Sequence, residues 1–202
     1  MVAAFRGPAR RTCAMSNAER APPKKKPRSA RRRRCLSQDN ASLFFNIGTT
    51  TEAVSEALLA HRGLMVITNN INVANRLRLH PSIEVVIAGG IVRAADGGII
   101  GAAAVEFIRQ FKLDFAIIGA STIDDDGALL DFGFREVQVA RAIIENAQHV
   151  ILVADSTKFE QTAPARIGHL GQVNTIVTNA RAPEAIRVIC LEHDLRLIEV
   201  DS

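Results

Sequence analysis

From residue 37 onward, short unbroken apolar runs alternate with stretches whose apolar residues recur at helical spacing. The runs at 43–47, 65–68, 83–88, 115–118, 150–154, 175–177 and 195–200 predict strands. The intervening pattern predicts helices over 52–60, 72–79, 102–110, 134–148 and 183–192. In the first of these, Val54, Ala57 and Leu58 stand at i, i+3 and i+4; the best-marked face is Phe134, Val137, Ala140 and Ile144. Pro81 ends the second helix, and Pro183 opens the last near its first turn. Residues 119–131 read as a long, largely polar loop. Strands apolar enough for burial on both faces, alternating with helices, give an α/β fold: a mostly parallel sheet with helices on both faces.

The first strand and helix carry the most pointed signal. The apolar run breaks at Gly48, and Thr49-Thr50-Thr51-Glu52 leads into the helix. Thr49 or Thr50 is placed to cap it, with a carboxylate in the first turn. A strand, a glycine turn and a helix start expose unpaired N–H groups at a positive dipole end, which suits an anion such as phosphate. A well-capped turn with no ligand is the competing reading.

In a parallel sheet, ligands sit at the carboxyl ends of the strands. Glycine and polar residues collect at those ends: Gly48-Thr49-Thr50, Thr68-Asn69-Asn70, Gly89-Gly90 with Arg93, Gly119-Ala120-Ser121 and Asp155-Ser156-Thr157-Lys158. Glycines allow close backbone approach, Thr and Asn offer hydrogen bonds, and Arg93 and Lys158 can neutralise phosphate charge. This composition suits a small phosphorylated polyol or sugar. The chain lacks both Gly-x-Gly-x-x-Gly and Gly-Lys-Ser/Thr, which disfavours dinucleotide and nucleoside-triphosphate sites. A catalytic alternative rests on Asp124, Asp131 and Glu136 as an acid/base set for a sugar-phosphate isomerase; no nucleophile–base pair accompanies them.

Charge divides the 202 residues into two unlike parts. Residues 1–36 hold 12 Lys and Arg against one acid, Glu19, a net +11; residues 37–202 hold 13 against 20, a net −7. The first part, with Lys24-Lys25-Lys26 and Arg31-Arg32-Arg33-Arg34, reads as a disordered basic leader. Non-specific phosphate contacts, a targeting role, or an extension from a wrong start or a disturbed reading frame all fit it. Residues 37–202 form the one expected domain. Three cysteines without Cys-x-x-Cys pairing suggest a reducing compartment. The five histidines have no metal-ligand spacing, so no metal or cofactor is expected. No apolar run approaches the ~18 residues of a membrane span.

Several motifs together resemble the C-terminal effector-binding domain of DeoR-type bacterial transcriptional repressors. They are Asn46-Ile47-Gly48-Thr49-Thr50-Thr51-Glu52-Ala53, Thr68-Asn69-Asn70-Ile71-Asn72-Val73-Ala74, Ala88-Gly89-Gly90, Asp114-Phe115-Ala116-Ile117-Ile118-Gly119, Arg135-Glu136-Val137 and Ala154-Asp155-Ser156-Thr157-Lys158-Phe159. The runs at 96–101, 106–111 and 141–146 are most similar to the glycerol-3-phosphate regulon repressor subgroup.

The resemblance implies a fold similar to ribose-5-phosphate isomerase and CoA-transferase-like domains. It also implies a homo-oligomeric cytoplasmic protein that binds a phosphorylated effector, glycerol-3-phosphate first among the candidates, without turnover. Carried over residue by residue, the effector contacts are Gly48, Thr49, Thr50, Asn69, Gly89, Gly90, Arg93 and Lys158, with Glu136 near the pocket. Asn46 and Asn179 depart from the family, which commonly has Asp at both. Operator DNA is read in this family by a winged helix-turn-helix, and residues 1–36 show no such pattern, so sequence-specific DNA binding by this polypeptide is not expected.

Overall fold

The computed structural model describes residues 39–200; the basic leader expected over 1–36 lies outside them. Seven strands form one parallel sheet: β1 (Ser42–Phe45), β2 (Leu64–Thr68), β3 (Ile83–Ile87), β6 (Leu113–Ile118), β9 (Ala147–Ala154), β11 (Thr175–Thr178) and β12 (Arg196–Glu199). Their order is β12-β11-β9-β6-β1-β2-β3, and every pair is parallel.

Alternation along the strands assigns side chains to two cores. On β1, Leu43 and Phe45 enter one core and Phe44 the other; on β9, Ile151 and Val153 oppose Val150 and Leu152. Helices α1 (Thr49–Ser55) and α2 (Ile71–Leu77) lie on the side of Leu43, where α2 contributes Val73 and Leu77. Helices α3 (Ala102–Arg109), α4 (Phe134–Glu145) and α5 (Glu184–Glu192) cover the other, through Ile108, Ile143 and Ile186 among others. The inner strands are buried on both faces, which is why they read as unbroken apolar runs, while the edge strands β3 and β12 are partly exposed.

Two small antiparallel pieces are attached at the strand ends. One pairs β4 (Ile91–Val92) with β5 (Ile99–Ile100). The other joins β7 (Thr122–Ile123), β8 (Ala128–Asp131) and β10 (Ala165–His169). The second corrects the polar loop expected over 119–131. Thr122, Ile123, Ala128 and Leu129 are buried, and the exposed residues of this stretch, 124–126, lie in the turn between the strands. Two-residue strands are too short to show a period in sequence.

Other details differ as well. Helix α4 stops at Glu145, because Ala147 already pairs with Leu113 in the sheet. Phe134, expected on its apolar face, is 67% exposed, and the buried face begins at Val137. In α1 neither Thr49 nor Thr50 is the cap. Gly48 is the N-cap, at φ 135°, with no side-chain hydrogen bond to the helix start.

Candidate functional site

The order of the sheet creates one crevice. From β1 the chain runs outward through β2 and β3, then returns to lay β6 on the opposite side of β1. The segments leaving the carboxyl ends of β1 and β6 therefore diverge and leave a gap between them. Both line a cavity of about 140 Å³, through Ile47 to Thr51 after β1 and Gly119 to Ser121 after β6. Val153 and Lys158 reach it from β9 and the turn that follows. Arg93, Asp96, Asp131 and Glu136 complete the lining.

The glycine turn is built for close approach. At φ 135° Gly48 occupies backbone space that side-chain-bearing residues rarely adopt. Thr51 turns inward: its hydroxyl donates to the carbonyls of Gly48 (2.6 Å) and Asn46 (3.0 Å). The first N–H groups of α1 have no intrahelical acceptor and no capping side chain, and their residues face the cavity lining.

Arg93 follows β4, in a turn closed by Arg93 N–H to Gly98 O (2.8 Å) and Gly97 N–H to Arg93 O (2.9 Å). Its Nε donates to Asp96 Oδ1 (2.8 Å), its terminal nitrogens pair with Asp96 and Glu136, and Asp131 adds attraction. The hydrogen bond from Arg93 holds the Asp96 carboxyl below its usual range, and the same bond keeps the guanidinium above its own. The guanidinium expected as a free phosphate counter-charge is thus already neutralised by protein carboxylates. Glu136 folds back over Gly133, where any Cβ would collide with its carboxylate.

Asp131, at the end of β8, accepts hydrogen bonds from the Ser121 hydroxyl (2.8 Å) and the Phe132 N–H (2.7 Å). Lys158 sits in a single 3-10 turn, Ser156–Phe159, capped by Asp155, whose Oδ1 accepts from the Thr157 N–H at 3.0 Å. Hydrogen bonding from Thr157 lowers the Asp155 pKa. Asn179 accepts from the Ser156 N–H at 3.0 Å, a role an Asp would also fill. Lys158 makes no ion pair within 4 Å among the described residues.

Of the nine expected contacts, Gly48, Thr49, Thr50, Arg93, Glu136 and Lys158 meet at the cavity; Asn69, Gly89 and Gly90 are not in its lining. Asn69 is fully buried and donates from Nδ2 to Ile99 O (3.1 Å), tying β2 to β5. Gly90 is needed where it is: a Cβ would stand 2.9 Å from Ile100 O. Asn70 caps α2, accepting from the N–H groups of Asn72 and Val73. The Thr68-Asn69-Asn70 motif therefore holds the framework together.

Asp96 and Thr51 were not foreseen. Asp131 was weighed only as an acid/base candidate, and Asp124, weighed with it, lies in the β7–β8 turn outside the lining. Asp96 had a usable signal, standing three residues after an arginine in a glycine-rich turn. Among the described residues, no group of His, Cys, Asp and Glu could hold a metal, and no helix is long and apolar enough to cross a membrane.

Residues 23–180 match the sequence profile of the DeoR C-terminal sensor domain, and the chain belongs to that family. It is 46% identical over 159 residues to the glycerol-3-phosphate regulon repressor of Escherichia coli (strain K12), covering 79% of this chain and 63% of that protein. With the Haemophilus influenzae protein of the same name the identity is 50% over 163 residues, covering 81% and 63%. The HTH-type transcriptional repressor CsqR of E. coli is 36% identical over 160 residues, covering 79% and 61%. The chain thus spans under two thirds of the length of these relatives.

Solved structures overlap it in part. Ribose 5-phosphate isomerase from Plasmodium falciparum shares 16% identity at a TM-score of 0.42, over 61% of this chain and 46% of that one. RipA from Yersinia pestis shares 14% at 0.46, over 69% and 41%.

Proposed function

We propose that this domain is a metabolite sensor that binds a small phosphorylated polyol or sugar in the crevice between β1 and β6, without turnover. One observation carries the reading. The uncapped start of α1 and Lys158, which makes no ion pair within 4 Å among the described residues, line one cavity at the point where the strand order reverses. Backbone N–H groups without acceptors and an ammonium group together suit a phosphate. The relatives named for the glycerol-3-phosphate regulon make glycerol-3-phosphate the first candidate. In a longer protein carrying a helix-turn-helix, effector binding would lower operator affinity. A cytoplasmic homo-oligomer belongs to the same reading.

The test is a thermal shift of the 202-residue chain against small phosphates and their unphosphorylated counterparts. At 100 times its dissociation constant a ligand adds about 2.7 kcal/mol. For a domain of this size that amounts to roughly 5–10 °C. A rise with glycerol-3-phosphate and none with glycerol is expected. A cooperative melt that no phosphate moves, or steady conversion of a sugar phosphate, would overturn the proposal.

A further inference from the structure

The lining of the cavity is not uniformly basic. Two cations, Arg93 and Lys158, face three carboxylates: Asp96, Asp131 and Glu136. The charges are also sorted. Arg93 is enclosed by Asp96 and Glu136, with Asp131 close enough to add its field. Lys158 makes no ion pair within 4 Å among the described residues, and the carboxylates nearest to it and to the turn at Gly48, Asp155 and Glu52, are not in the lining. The cavity therefore has one side that attracts an anion and one that repels it.

The acidic side retains hydrogen-bonding capacity. Asp131 Oδ1 is occupied by the Ser121 hydroxyl and the Phe132 N–H, while Oδ2 has no hydrogen bond among the described residues. A carboxylate oxygen accepts and cannot donate, so its natural ligand partner is a hydroxyl. A second anionic group placed there would meet like charge in a partly enclosed space, where screening by water is weak.

We infer that Asp131 and Glu136 are specificity-determining residues, which select phosphates with an uncharged hydroxylated tail and reject those bearing a second anionic group. The inference rests on the proposed function and narrows its ligand class to polyol monophosphates. The carboxylates do this by accepting from tail hydroxyls and repelling a carboxylate or second phosphate in the same place. Arg93 does not relieve the repulsion, because Asp96 already matches its single charge through both carboxylate oxygens, leaving Glu136 and Asp131 in excess.

Isothermal titration of the 202-residue chain with glycerol-3-phosphate, 3-phosphoglycerate and inorganic phosphate tests this. The first two differ in carrying a hydroxymethyl or a carboxylate at the tail. Glycerol-3-phosphate is expected to bind at least about tenfold more tightly than 3-phosphoglycerate, the ratio that ~1.4 kcal/mol produces. Asp131→Asn, checked for folding by its melt, should narrow that ratio severalfold. Glu136→Gln provides the second reading should the first variant not fold. Equal affinity of the wild-type protein for the two compounds, or a ratio unchanged in the folded variants, overturns the inference while leaving the sensor reading intact. Binding of inorganic phosphate alone does the same. Binding of none of the three overturns the inference, and the sensor reading falls with it only if no sugar phosphate moves the melt either.

Discussion

The seven-stranded sheet and the small antiparallel pieces at its end do different physical work. The inner strands of the sheet are buried on both faces. Phe44, Phe45, Ile67 and Ile117 are fully buried within it. The antiparallel pieces leave Ile91, Val92 and Phe132 largely exposed, yet they position Arg93, Asp96 and Asp131. Apolar burial is non-directional and supplies most of the folding free energy. Partly exposed ion pairs add little net stability but set direction. One region thus holds the crevice open at a defined place, and the other decides what charge surrounds it.

If that division holds, mutations should separate the two properties. Phe45→Ala removes a fully buried ring from the central strand and should cost about 3–5 kcal/mol. Urea unfolding would read this as a lower midpoint at an unchanged slope. A loss under 1 kcal/mol would mean that the sheet is not the stabilising unit.

Lys158→Ala should do the reverse. It should weaken phosphate binding by about tenfold or more, which corresponds to ~1.5–3 kcal/mol for a charge-assisted contact. Its effect on the melt should stay within roughly 0.5 kcal/mol. Titration of the variant with glycerol-3-phosphate checks the first part, and its melt without ligand the second.

Asp96→Asn gives the smallest effect and the clearest pH signature. The folded pKa of Asp96 is lowered, first by the hydrogen bond from Arg93. Its stabilisation is therefore present above the unfolded value, about 3.9, and is lost as pH falls through the folded one. The pair is about one-third exposed, so the variant should lose roughly 1 kcal/mol at pH 7. That difference should shrink as the pH falls below about 4. Urea midpoints of both proteins at pH 7 and pH 3 measure it; a gap that does not narrow in acid would rule out the Arg93 pair as its source.

The motifs around the site illustrate why sequence reading reached only part of it. Gly48-Thr49-Thr50 and Lys158 follow apolar strands closely, so local pattern alone put them at strand ends, where the cavity lies. The same logic also offered Asn69, Gly89 and Gly90, which do not line the cavity. Their signal was equally good, but β2 and β3 lie one and two strands beyond the reversal point, and β5 packs against Asn69 and Gly90. Arg93 was legible as a cation but not as one whose charge is already matched. Its partner Glu136 is distant in sequence, and ion pairing is a property of the folded distance.

By itself, then, the amino-acid sequence determined the alternation of strands and helices, the α/β class and the turn that opens the first helix. Each follows from periodicity, apolar content and local backbone chemistry, which act over a few residues. It also carried enough ordered motifs to mark the family. Tertiary structure alone decided where the strand order reverses, and so which of several similar strand ends form the crevice. It also brought Asp131 and Glu136 to Arg93 and left Lys158 without an ion pair within 4 Å among the described residues. Electrostatic attraction falls with distance through space, and only the folded chain sets that distance between residues far apart in sequence.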